Sequence, residues 1–447
     1  MERGQSPMNT APRQLLSVTD GIFLTVGMIV GALIFKAPAT VAGATSGAGE
    51  FLFAWLLGGL VSLCGALVYA ELAARHPDTG GEYVFLSRGL GRGVGFLFAW
   101  SRMTVIQTGA IAAVAFVFGD YASEIFSLGK HSSALWAAAA VLALTVLNLT
   151  GTVRTKSLQK IMEIILIAGL VAFALAAIAI GGNPGPAAPA SGGSLGFAMI
   201  FVLLAYGGWN EAAYLAGEVR DGQRNMSRIL VIGVVAVTAL YLLVNLAYLA
   251  VLGHGGVRDS KAVAADVMRV IAGEKGAVLL ALIVCVSVLT TMNAAMFTGA
   301  RTTYALGRDF ALFARLGAWR DAGSTPANAL LLQGAITLAL VAAGAATPDG
   351  FNAMVAYTSP VFWTFFLLTG LTLFVFRKKQ PGADGFRTPF YPLVPAAFCL
   401  TCVYMLYSSI NYVRNPDYGP KFGMAVLAGL VVMAAGIPLY FASKRSG

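Results

Sequence analysis

Apolar residues run through this chain in long, nearly unbroken blocks, and polar residues collect in the gaps between them. Twelve blocks can be read, over roughly 19–45, 49–75, 93–123, 132–151, 157–181, 194–218, 228–252, 276–305, 327–345, 351–376, 390–413 and 421–441. Each is near or above the ~20 residues a helix needs to cross a hydrocarbon core. The pattern predicts an all-α polytopic membrane protein of 12 transmembrane helices. The longest gap, 253–275, reads as lying outside the membrane, with a short helix over Ala262–Ile271. No stretch is left over for a separate soluble domain.

Two of the blocks are interrupted at mid-span. The first reads Gly27-Met28-Ile29-Val30-Gly31-Ala32-Leu33-Ile34-Phe35-Lys36-Ala37-Pro38, and the sixth Leu204-Ala205-Tyr206-Gly207-Gly208-Trp209-Asn210-Glu211. Each opens a half of five helices. This divides the chain into a tail over 1–16, a first repeat over 17–182, a second over 183–380, and a last pair of helices with the C-terminus over 381–447. Interruptions at matching positions of two halves are the best sequence pointer to a transporter binding site. Unwinding a helix inside a membrane frees N–H and C=O groups, at several kcal/mol each unless they find partners. A zwitterion satisfies both kinds. Its carboxylate accepts from amides at the start of a half-helix, and its ammonium donates to freed carbonyls. The plainer reading, glycines that only permit packing or a kink, is reasonable for either helix alone and weaker for the pair.

Composition agrees with lipid as the main solvent. Of 447 residues, 58% are hydrophobic and 11% charged, against about 45–50% and ~25% in soluble domains. The net charge of +10 is spread between apolar blocks, so it forms no nucleic-acid surface. Lys plus Arg number 21 in the tail and the gaps on its side, against 7 in the other gaps. That asymmetry places both termini in the cytoplasm, in a cell inner (cytoplasmic) membrane. The two remaining basic residues, Lys36 and Arg102, lie inside apolar blocks. Cys64, Cys285, Cys399 and Cys402 read as packing residues, and His76, His131 and His254 lie in separate loops. Neither metal nor cofactor is expected.

Five motifs in fixed order resemble bacterial amino acid permeases of the amino acid–polyamine–organocation superfamily, most of all its L-type-like branch. They are Val30 to Phe35; Tyr69-Ala70-Glu71-Leu72 with Pro77 and Gly80-Gly81-Glu82-Tyr83; Tyr206 to Asn210 with Gly217-Glu218-Val219 and Gln223-Arg224-Asn225; Arg301 to Asp309; and Phe386-Arg387-Thr388-Pro389 with Pro392 and Pro395. The resemblance spans essentially the whole chain and implies the LeuT fold, a 5+5 inverted repeat with broken helices 1 and 6. It also implies roles. Gly31 and Ala32 would offer amides to a substrate carboxylate; Val30, Ala205 and Tyr206 would offer carbonyls to its amine. Gly207 and Gly208 would leave room for the side chain, and Trp209 would act as a gate or wall. Leu33 stands where the family usually has a second glycine, which narrows the approach. Gln107 resembles a position that faces substrate in relatives.

Ionisable residues within spans are functional candidates by default. Glu163, on the fifth helix near a position where many relatives carry lysine, is a candidate proton carrier; an ion pair with Lys160 is the competing reading. Glu211 is a second proton candidate, a contact for a cationic substrate, or a cap for its half-helix. Lys36 and Arg102 are read as snorkelling toward water. The expected function is secondary active transport of an amino acid by alternating access, proton-coupled, with obligate exchange of amino acids or polyamines as the alternative. A sensor or scaffold without flux is the rival of another class. A channel would need a polar stripe or selectivity ring, and an enzyme a converging catalytic constellation; neither is present in the sequence.

Overall fold

The computed structural model describes residues 17–76, 81–150, 156–182, 194–212, 219–320, 325–382, 385–414 and 419–445, and for 156–163, 222, 223, 412, 419, 444 and 445 it describes the backbone alone. The tail over 1–16, and Pro77, Gly80, Gly217 and Glu218 of the motifs, lie outside the described residues. The described chain is helical nearly throughout. We call the face where the chain enters its first helix the near face and the opposite one the far face.

The first segment is three pieces. Ser17 starts α1 (Val18–Ile29) with a capping box: the Asp20 amide donates to its hydroxyl, and its own amide donates to the Asp20 carboxylate. The helix stops at Val30, which is extended, as is Gly31. A 3₁₀ turn over Ala32–Phe35 follows, and Pro38 helps to start α2 (Ala37–Gly43). Next come α3 (Ala48–Arg75) and a short near-face helix, α4 (Gly81–Leu90). The third segment is α5 (Arg92–Ser101), a π turn over Arg102–Ile106 and α6 (Gln107–Ile125) in one continuous span. Then follow α7 (Ser132–Thr150) and α8 (Lys156–Ile180).

The second half repeats the theme. The sixth segment is α9 (Leu195–Ala205), a break, and α10 (Trp209–Ala212). After it come α11 (Gly222–Asp259) and α12 (Val263–Asp309). Both are interrupted, at Gly253 and Gly273, whose positive φ turns the chain. The gap predicted over 253–275 is therefore mostly helical, a pair of short helical pieces at the far face. α13 (Ala327–Ala345), α14 (Gly350–Lys379), α15 (Leu393–Asn411) and α16 (Gly419–Arg445) complete the chain.

Ten helices among the described residues are long and apolar enough to cross a membrane. The two predicted segments outside that set are the broken first one and the fifth, whose qualifying stretch is the shorter Ile164–Ile180. Large apolar side chains such as Leu142, Ile165, Leu400 and Val431 are exposed on the outside of the bundle, as a lipid-facing surface requires. The core is aromatic where the broken helices meet α3 and α11: Trp55, Tyr206 and Tyr241 are fully buried and pack ring against ring.

Candidate functional site

The two breaks come together. Gly208 has φ +110, and a Cβ placed on it would lie 2.3 Å from the Met28 carbonyl oxygen, so the backbones of the two broken segments touch there. The Tyr241 hydroxyl of α11 lies 2.9 Å from the Ile29 carbonyl and 3.0 Å from the Ala205 carbonyl. One phenol proton is thus shared between the last carbonyls of α1 and α9. Two more buried tyrosines hold the turn after the first break: Tyr248 donates to the Ile34 carbonyl at 3.4 Å and Tyr121 to the Phe35 carbonyl at 3.0 Å. Hydroxyls from neighbouring helices therefore meet carbonyls that unwinding exposes, as a low-dielectric interior demands. The sequence reading did not single out any of these three tyrosines.

Around the breaks, Val30, Ala32, Ala205 and Tyr206 are buried, whereas Gly31, Leu33, Gly207 and Gly208 keep partial exposure. Space is open beside Gly31, where an added Cβ would meet nothing nearer than Thr291 of α12 at 3.7 Å. The residues read as site candidates thus divide into a buried frame and an accessible strip. Tyr206 donates to the Trp55 carbonyl at 3.0 Å. Trp209 is packed against Tyr69, Phe366 and Phe398. The Gly208 amide donates to the Asn210 side-chain oxygen at 3.3 Å, and the Glu211 amide to the Gly208 carbonyl at 3.0 Å, which starts α10.

Gln107 turns toward α12: its amide donates to the Ala295 carbonyl at 3.0 Å, beside Gly299. The π turn just before it carries Arg102 toward α10 and α4. Extra residues of this kind inside α-helices are frequent at functional sites. Arg102 does not snorkel; it is buried and its guanidinium lies 3.1 Å from Glu211 and 3.7 Å from Glu82. Lys36 does not snorkel either. It is buried 2.7 Å from Asp120 and 3.9 Å from Asp349. In both cases a carboxylate distant in sequence supplies what water would have supplied. Glu163 falls in α8, and its side chain lies outside the described residues.

Glu82 is fully buried on α4 and accepts from Tyr69 at 3.2 Å and from the Asn210 side-chain amide at 2.9 Å. Burial pushes its carboxyl pKa up, against the pull of the Arg102 charge.

A paired break of two helices is an architecture, and comparison with known proteins supplies the family. Residues 16–435 match the family model described as amino acid permease. The chain belongs to the amino acid permease family. It is 30% identical to the human (Homo sapiens) b(0,+)-type amino acid transporter 1 over 425 residues, 91% of this chain and 85% of the relative. It is 27% identical to the Serine/threonine exchanger SteT of Bacillus subtilis (strain 168) over 436 residues, 94% and 95% of the two chains. With the human Cystine/glutamate transporter it shares 25% over 446 residues, 96% and 85%. This permease is thus an amino acid transporter of many membrane-spanning helices and not an enzyme.

A size series at Gly31 probes the open strip. Gly31→Ala, which has room for its methyl, is expected to keep most of the transport rate, while Gly31→Leu fills the space and abolishes it. Uptake assays on membrane-inserted variants check this; near-normal uptake by Gly31→Leu would remove the strip from the transport path.

Proposed function

We propose that this permease exchanges short-chain α-amino acids across the cell membrane, seating each one between the two breaks. The observation that carries the reading is the meeting of the breaks: amides that open one half-helix, carbonyls that end another, a partly exposed strip over Gly31, Leu33, Gly207 and Gly208, and open space beside Gly31. Val30, Ala205 and Tyr206 serve the ammonium end; Gly31 and Ala32 serve the carboxylate. Leu33 occupies volume near the carboxylate end and favours a small side chain. Trp209 walls the pocket through its aromatic packing, and Gln107 fixes α6 against α12 beside it. The near face is the cytoplasmic one, since Lys plus Arg concentrate there. α1, α2, α3, α9, α10 and α11 rock against the remaining helices of the two repeats.

Exchange is preferred because a relative that covers 94% of this chain is named a serine/threonine exchanger, and because Glu211, one of the two candidate proton carriers, is engaged by Arg102. Proton symport has one specific observation in its favour, the buried Glu82 carboxyl with its raised pKa. Its charged and titratable neighbours are Arg102, Glu211 and Tyr69.

Purified protein in liposomes separates the two. Labelled serine, threonine, leucine, lysine and glutamate are followed into empty vesicles and into vesicles loaded with unlabelled amino acids, with and without an inward proton gradient. Exchange predicts uptake of serine or threonine that requires internal amino acid and ignores the gradient. Gradient-driven uptake into empty vesicles would instead establish symport, and its pH dependence should then disappear in Glu82→Gln or Glu163→Gln.

A further inference from the structure

The ion pairs beside the broken helices stand at opposite ends of one span. Toward the far face, Asp120 of α6 holds the Lys36 ammonium, with Asp349 of α14 close by. Toward the near face, Arg102 of the same span holds Glu211. The two span residues are roughly 27 Å apart along the axis at ~1.5 Å per residue. Lys36 heads α2, the half-helix after the first break, and Glu211 lies in α10, the half-helix after the second. One rigid span therefore offers one charge to each half-helix. The charges are opposite in sign, so each end of the span attracts its own half-helix charge and repels the other.

Each pair has accessory contacts on its own side. At the far end Tyr121, next to Asp120, donates to the Phe35 carbonyl and accepts from the Ala264 amide, which joins the first piece of α12 to the same closure. At the near end Asn210 and Tyr69 donate to Glu82, which faces Arg102. The pairs differ in exposure. Side chains of the far pair are 7% and 18% exposed, whereas Glu211 of the near pair is 35% exposed. A buried pair of charges is tolerable only while the partners stay together; separated, each needs water. Water arrives when the half-helix swings out and its face opens. The pair is thus suited to hold a closed state and to part as that state ends.

We propose that Lys36–Asp120 and Arg102–Glu211 are the two gate contacts of this transporter, one per face, and that they part alternately as α2 and α10 move. These are positioning residues, acting on the half-helices and not on substrate. The inference rests on the alternating-access reading above and names its moving contacts.

The test uses a single cysteine at Thr291, beside Gly31, in the full-length protein with Cys64, Cys285, Cys399 and Cys402 changed to serine. A membrane-impermeant thiol reagent is applied from one face of oriented vesicles at a time, with no amino acid present. Lys36→Gln is expected to raise labelling from the far face roughly fivefold or more and to lower it from the near face. Glu211→Gln is expected to do the reverse. Lys36→Arg should return the rate toward that of the parent, and Asp120→Asn should reproduce Lys36→Gln, which serves if either variant folds poorly. Rates unchanged from both faces, or raised equally from both, would overturn the proposal. Labelling is read without substrate, so failure to transport any amino acid would refute the function and leave this result standing.

Discussion

Gly208→Ala is expected to stop transport in a protein that still inserts into the membrane. The added Cβ would lie 2.3 Å from the Met28 carbonyl oxygen, 2.8 Å from its carbon and 3.3 Å from the Ile29 nitrogen. All three are backbone atoms, so no side chain can rotate away. The residue also holds φ +110, which costs an L-residue on the order of 1–3 kcal/mol, and overpacking adds roughly 1–3 more. Relief requires α10 to move away from α1, which separates the freed backbone groups that the substrate is proposed to bridge. A penalty of about 2–6 kcal/mol on the competent arrangement corresponds to a loss of at least ~30-fold in rate. Exchange rates in proteoliposomes, normalised to monodisperse protein recovered from the membrane, measure it. A rate within threefold of the parent would show that the two breaks do not need this contact.

Tyr241→Phe is expected to produce the second largest loss. The substitution keeps the ring, which packs edge-on against Trp55 and Tyr206, and removes one oxygen. That oxygen is a shared donor for the Ile29 and Ala205 carbonyls. Without it two buried acceptors lose a partner, at roughly 1–3 kcal/mol for an unsatisfied group. The loss falls on the geometry of the site more than on the fold, because the helices remain packed. A drop in apparent substrate affinity of about tenfold, with the thermal unfolding midpoint nearly unchanged, is the expected outcome. A fall in stability with unaltered affinity would make Tyr241 a packing residue.

Much of this architecture is legible in the sequence, because a membrane restricts what a chain can do. A glycine in mid-span of an apolar block leaves few options, and Gly31 and Gly207 mark both breaks correctly. The partners of the breaks are a different matter. Tyr121, Tyr241 and Tyr248 look like ordinary core residues in apolar helices, and their hydroxyls acquire meaning only where the third and seventh segments pass the first in space. Lys36 and Arg102 read from the sequence as reaching for water for the same reason. Nothing in the local sequence announces Asp120 or Glu82 as their neighbours.

The π turn over Arg102–Ile106 was equally silent, since no propensity distinguishes it from α-helix. It sets the rotation of α6 relative to α5, and with it the direction of Gln107 toward the Ala295 carbonyl. The gap over 253–275 reads from its polarity as lying outside the membrane with one short helix over Ala262–Ile271. The structure has that helix, as the first piece of α12, and adds a second helical piece after Gly253, the glycines at 253 and 273 letting both fold back at the far face. Polarity there reports exposure to water and says little about secondary structure.

The central claim is that a zwitterion bridges the two breaks, with both of its charged ends engaged. The most direct measurement is equilibrium binding of labelled serine to the purified protein, competed by unlabelled serine, by serine methyl ester, which lacks the carboxylate, and by 3-hydroxypropanoate, which lacks the amine. The account predicts displacement by serine alone, with each blocked analogue weaker by about tenfold or more. Displacement by either analogue as effective as that by serine would contradict it.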